Sequence, residues 1–202
     1  AAFMTAQKSA YNDLKARGLK LDLTRGKPSA QQLDLSNDLL KLPTTHIAAD
    51  GTDTRNYGGL HGLTEIREIF AELLGVDVDQ IVAQGNSSLT LMQQVLVDCL
   101  LHGAVDSERP WVAEEKIKFI CPVPGYDRHF SLLNSFGIEM ITVPMHADGP
   151  DADKIAELVK DDASIKGMWV VPTYANPTGD TVSQEVAAKL VAMPTAAPDF
   201  KI

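Results

Sequence analysis

The apolar residues of the chain change their period along its length. Over residues 4–17, Ala6, Ala10 and Leu14 recur at helical spacing, and Gly18 supplies a stop. Leu19-Lys20-Leu21-Asp22-Leu23 alternates and predicts a short strand. Residues 43–62 are rich in Gly, Thr, Asp and Pro and have no period, so they read as loop. Leu63, Ile66, Ile69, Phe70, Leu73 and Leu74 then share one helical face, ended by Gly75.

From residue 80 onward, short apolar runs alternate with amphipathic stretches. Strands are predicted over Gln80–Ala83, Ile117–Cys121, Glu139–Val143 and Met168–Val171, with a last one beginning at Phe200. Helices are predicted over Ser87–Leu101, Tyr126–Phe136, Ala152–Lys160 and Ser183–Met193. Regular alternation of this kind implies βαβ units around a mostly parallel sheet, an α/β fold in three layers, α/β/α. The strands are apolar in continuous runs, as expected where both sheet faces are covered. The first 45 or so residues are irregular.

Composition narrows the functional classes. The chain has 202 residues and a net charge of −9, with 45% hydrophobic and 22% charged residues. An acidic chain without a basic stripe is not expected to bind nucleic acid. No apolar run approaches the roughly 20 residues that span a bilayer, and no signal-peptide pattern opens the chain. Cys99 and Cys121 both lie in apolar runs and read as reduced, buried thiols, an expectation that points to the cytoplasm. The histidines and cysteines form no metal-ligand spacing, so no metal site is expected. Phosphate-loop, dinucleotide and nucleophile-elbow motifs are absent.

Ligands of open α/β sheets bind beyond the carboxyl ends of the strands, and three such ends carry suggestive residues. Gln84-Gly85-Asn86-Ser87-Ser88 offers hydroxyl and amide donors beside the free N–H groups of a helix's first turn, an arrangement that holds phosphate. Taken alone it is better described as helix capping. Pro122-Val123-Pro124-Gly125-Tyr126 presents an aromatic ring above the sheet, suited either to a flat heterocycle or to a neighbouring loop. His129 follows three residues later on the same helix face. Asn176-Pro177-Thr178-Gly179 is a turn in its own right, yet it sets an amide at a strand end.

The order and spacing of these pieces resemble the fold-type-I, class I aminotransferases that use pyridoxal 5'-phosphate (PLP), the aspartate aminotransferase family. Asn176-Pro177-Thr178-Gly179 after a hydrophobic strand, Tyr57-Gly58-Gly59-Leu60-His61-Gly62-Leu63, and Leu23-Thr24-Arg25-Gly26-Lys27-Pro28 are each similar to segments of that family. Pro124-Gly125-Tyr126-Asp127-Arg128-His129 is most similar to an actinobacterial-type subgroup. The resemblance implies the large-domain fold of PLP-dependent transferases, here truncated. Residues 1–45 would contribute to a small domain, and 46–202 would be the N-terminal part of the PLP-binding domain.

The resemblance also implies roles. Asn86, Ser87 and Ser88 would cradle the cofactor phosphate, with Gly85 close by. Tyr126 would stack on the pyridine ring, and His129 would support a carboxylate near the pyridine nitrogen. Asn176 would bond the phenolic oxygen and lie beside the substrate carboxylate, and Gly26 would let that carboxylate approach. Tyr57 would reach the phosphate held by the partner subunit of a homodimer. Arg25 is a candidate dicarboxylate ligand and equally a surface arginine.

PLP chemistry also needs a Schiff-base lysine, an acidic partner for the ring nitrogen and a carboxylate-clamping arginine. The resemblance puts all three beyond Ile202, leaving no catalytic residue in this chain. The implied reaction is transamination between an amino acid, aspartate or similar, and a 2-oxo acid such as 2-oxoglutarate, with the 202-residue chain inactive by itself. A PLP lyase of the same fold, or a non-catalytic ligand-binding module, would share these motifs.

Overall fold

Ile120 points into one side of a β-sheet while its neighbours Phe119 and Cys121 point into the other, and this alternation organises the C-terminal part of the molecule. The computed structural model describes residues 2–20 and 26–202. It divides into two compact units, 1–83 and 84–202. The boundary at 45/46 expected from the sequence lies within the first unit.

In the first unit, α1 (Ala2–Ala16) ends before Gly18, as the pattern predicts. The alternating segment that begins at Leu19 lies partly outside the described residues. A one-turn helix, α2 (Ala30–Asp34), starts in a capping box in which Ser29 and Gln32 satisfy each other's backbone N–H groups. Residues 43–62 form a loop whose one regular pairing is an isolated bridge between Ile47 and Asp53. Helix α3 (Thr64–Leu74) closes at Gly75 in the left-handed conformation. Arg67 of α3 donates to the backbone oxygens of Ile81 (2.9 Å) and Val78 (2.8 Å), tying the following turn to the helix. Of α3, only Ala71 is buried, and the predicted apolar face stays substantially exposed, Leu73 to 73%.

The strand predicted over Gln80–Ala83 does not form. Val78–Gln80 is a single 3₁₀ turn. Ala83 makes one backbone bond, from its N–H to His61 O at 2.9 Å. An extended segment without a paired ladder is not a strand.

The second unit holds a four-stranded sheet: β1 (Lys118–Val123), β2 (Glu139–His146), β3 (Gly149–Pro150) and β4 (Ile165–Met168), in the order β3-β2-β1-β4. β1 runs parallel to both β2 and β4, and the two-residue β3 pairs antiparallel with β2. Ile120 faces Ile141 on one side and Met168 on the other. On one face, Ile120, Val143, Ile165 and Met168 pack against α6 (Ala152–Val159) and α7 (Gln184–Ala192). On the opposite face, Phe119 and Cys121 pack against Leu96 and Cys99 of α4 (Ser88–His102) and Leu133 of α5 (Asp127–Ser135). The result is the expected three-layer α/β/α architecture with a mostly parallel sheet.

The strand predicted at Met168–Val171 lies earlier, at Ile165–Met168. A register shift between Lys118 and Phe119 lets Ile165 and Met168 face the same side, which an unbroken strand forbids. Gly167 sits at this irregularity. A Cβ there would stand 2.6 Å from the Phe119 ring and 2.8 Å from Lys201 O, so the close strand approach requires glycine. β2 runs three residues past its predicted end. The last predicted strand is present as a parallel bridge between Lys201 and Gly167, with Met168 N–H donating to Lys201 O at 2.9 Å. Among the described residues no helix is long and apolar enough to cross a membrane.

Candidate functional site

The carboxyl ends of β1 and β4 open into one cleft, because parallel neighbours end on the same side of a sheet. Its walls include Gly125, Tyr126, His129, Trp169, Ala175 and Asn176. The chain leaves β1 through Pro122-Val123-Pro124, turns at Gly125 and enters α5 with Tyr126 as N-cap. The turn is tight. A Cβ on Gly125 would lie 2.5 Å from Pro122 O and 2.9 Å from the Phe130 ring.

His129 sits in the first turn of α5, its N–H donating to Tyr126 O at 3.1 Å. Helical spacing brings the two side chains together, with ring centroids 5.1 Å apart and planes at 88°. On its other side His129 meets Trp169, centroids 5.6 Å apart and planes tilted by 40°. His129 is 9% exposed, and burial pushes its imidazole below the usual histidine range, toward the neutral form.

Asn176 arrives from the turn after β4. Ala175, beside it, is buried and donates its N–H to Asp180 O at 2.8 Å, which ties the turn's two ends together. Tyr174, two residues before Asn176, adopts φ 52°, a left-handed conformation uncommon for an aromatic residue. The structure therefore brings Tyr126, His129 and Asn176 to one cleft. Among the described residues lining it there is no lysine.

Asn86, Ser87 and Ser88 are exposed at the N-terminus of α4 and do not line that cleft. Ser87 is the N-cap, and its Oγ accepts from Thr90 N–H at 3.4 Å. The capping role considered from the sequence is thus filled by Ser87. Its hydroxyl proton remains a donor, since a hydroxyl both gives and accepts. Tyr57 is fully exposed in the loop before α3, its N–H donating to Asn56 Oδ1 at 2.8 Å. Gly26 is exposed, with open space where a Cβ would stand. Arg25 lies outside the described residues.

Two features had no signal in the linear pattern. Trp169 reads as one more apolar strand residue, yet it forms the wall behind His129. Near the amino end of β4, Lys166 is buried against Asp199, Nζ to Oδ1 3.0 Å, with Glu114 at 3.3 Å. Asp199 also accepts from Trp111 Nε1 (2.7 Å) and Ser107 Oγ (2.6 Å). Burial alone would raise this carboxyl, but the hydrogen bonds from Ser107, Lys166 and Trp111 outweigh it and hold Asp199 below the usual carboxylate range.

The whole chain, residues 1–202, matches the family model described as "Aspartate amino-transferase". A Mycolicibacterium smegmatis protein named as an aminotransferase is 57% identical over 97% of this chain and 47% of its own length. An aspartate aminotransferase of Corynebacterium glutamicum is 56% identical over 96% of this chain and 45% of its own. The crystal structure of an aspartate transaminase from Corynebacterium glutamicum superposes with a TM-score of 0.92 at 56% identity, over 98% of this chain and 47% of that one. The chain thus spans about half the length of the relatives it matches.

Proposed function

The chain belongs to the aspartate amino-transferase family, and we propose that it supplies the N-terminal part of an enzyme that uses PLP to move an amino group from aspartate, or a close analogue, to a 2-oxo acid such as 2-oxoglutarate. The observation that carries this reading is the convergence of Tyr126, His129 and Asn176 in one cleft at the carboxyl ends of β1 and β4.

The residues present fit the cofactor. A flat pyridine ring matches the aromatic wall of Tyr126, and the Asn176 amide is a donor suited to a phenolic oxygen. When bound, PLP supplies an electron sink for charge developing at the substrate α-carbon. In this reading Tyr126 orients the ring by stacking, and Asn176 fixes it by hydrogen bonding beside the substrate carboxylate. His129 supports an acidic group near the ring nitrogen. Its burial favours the neutral imidazole, which can donate through one nitrogen and accept through the other.

Asn86, Ser87 and Ser88 would hold the phosphate. The start of the 15-residue α4 supports this, because its free N–H groups and dipole favour an anion. Tyr57, fully exposed, would be available to the phosphate of a partner subunit in a homodimer. Gly26 would border the substrate carboxylate. The two cysteines are free and buried, which supports residence in a reducing compartment such as the cytoplasm. The chain by itself is proposed to be inactive, since no lysine lines the cleft among the described residues.

The test is titration of the protein with PLP, followed by quenching of tryptophan and tyrosine emission, in wild type, Tyr126→Leu and Asn176→Ala. Saturable quenching that each substitution weakens is expected. Equal quenching in all three would refute the site. Addition of aspartate and 2-oxoglutarate is expected to give no turnover in the 202-residue chain, and PLP-dependent turnover would overturn the proposed inactivity.

A further inference from the structure

We propose that Trp169 is a positioning residue for His129, its indole face fixing the imidazole at the cleft wall. Trp169 is the first residue past β4, and its backbone N–H donates to Ile120 O at 3.1 Å, so β1 pins its main chain. Its indole lies between two rings, Phe119 at 5.2 Å (47°) and His129 at 5.6 Å (40°). Phe119 is fixed in turn by Trp111, edge-on at 6.2 Å, whose own N–H is held by Asp199. A supported row of rings thus runs from the buried carboxylate of Asp199 to the imidazole at the cleft.

The indole of Trp169 serves through its faces, not through its donor. Nε1 is buried and has no hydrogen-bond partner among the described residues. An unpaired buried donor costs stability, so hydrogen bonding gives no reason for an indole here. A single six-membered ring, however, has less face to share between Phe119 and His129. The bicyclic ring spans both and leaves His129 held between Trp169 and Tyr126, which is 5.1 Å away and edge-on. Only the chemical purpose of this arrangement, an imidazole set for the cofactor ring, rests on the proposed function.

The experiment measures the order of the His129 ring C–H groups by ¹³C relaxation in wild type, Trp169→Phe and Trp169→Leu, with the signal assigned through His129→Gln. Thermal melting and PLP titration are run on the same samples. Trp169→Phe is expected to stay folded with a melting temperature nearer to wild type than that of Trp169→Leu, while its His129 ring loses order. Its PLP affinity is expected to fall about 2- to 12-fold, the equivalent of one lost aromatic pair. Unchanged His129 order in both Trp169 variants would overturn the inference. Loss of His129 order in Trp169→Leu but not in Trp169→Phe would also overturn it, by showing that filling the space is enough. Wild type that binds no PLP overturns the cofactor reading instead, and ring order without PLP still decides the role of Trp169.

Discussion

Lys166 and Asp199 form a buried ion pair, Nζ 3.0 Å from Oδ1, with side chains 8% and 3% exposed. A buried charge that loses its partner keeps its desolvation cost and gains nothing in return. Asp199→Ala should therefore destabilise the fold by roughly 3 kcal/mol, the lower end for a broken buried pair because Glu114 stays 3.3 Å from Lys166. Urea denaturation checks this. A double substitution, Asp199→Leu with Lys166→Met, should recover part of the loss, because no uncompensated charge then remains although Trp111 Nε1 loses its carboxylate acceptor.

Gly125→Ala should disturb the cleft through its turn. The new Cβ would stand 2.5 Å from Pro122 O, a backbone atom that cannot swing aside. The turn must shift and Tyr126 with it. A loss of about 1–3 kcal/mol is expected, the usual cost of overpacking, together with weaker PLP quenching. Thermal melting and the PLP titration read the two effects, and Gly59→Ala serves as a comparison, with open space around its Cβ and no left-handed backbone.

Acid should remove one identifiable contribution to stability. Hydrogen bonds from Lys118 (2.6 Å) and Ser164 (2.5 Å) hold the Asp162 carboxyl down at about 2. Its folded value lies below the unfolded value of about 3.9. The associated stability is therefore present above about pH 4 and lost as pH falls toward about 2. Asp162→Asn should flatten that part of the stability–pH curve, as read by urea melts between those pH values.

The native thiols should resist alkylation. Burial pushes the Cys121 thiol up to about 12 and raises that of Cys99 as well, so little of the reactive thiolate exists near neutral pH. Iodoacetamide at pH 8 should leave both cysteines unmodified in the folded protein and label both in denaturant. Mass spectrometry of intact protein distinguishes these outcomes.

Much of this molecule was written in its local pattern. The alternation of apolar runs with amphipathic stretches determined the three-layer fold. Ser87, Ser183 and Gly75 marked helix ends that formed where the caps allowed. The turns after β1 and β4 were legible because proline, glycine and asparagine have conformational demands that show in one dimension. Periodicity reports which face a residue takes, but not which residue meets it there. Strand pairing carries no such local mark, so the shift of β4 to Ile165–Met168 and the failure of Gln80–Ala83 to pair were decided only by three-dimensional neighbours. Tertiary packing alone placed Trp169 behind His129 and joined Lys166 to Asp199, because those contacts arise from distant segments buried against each other across the sheet.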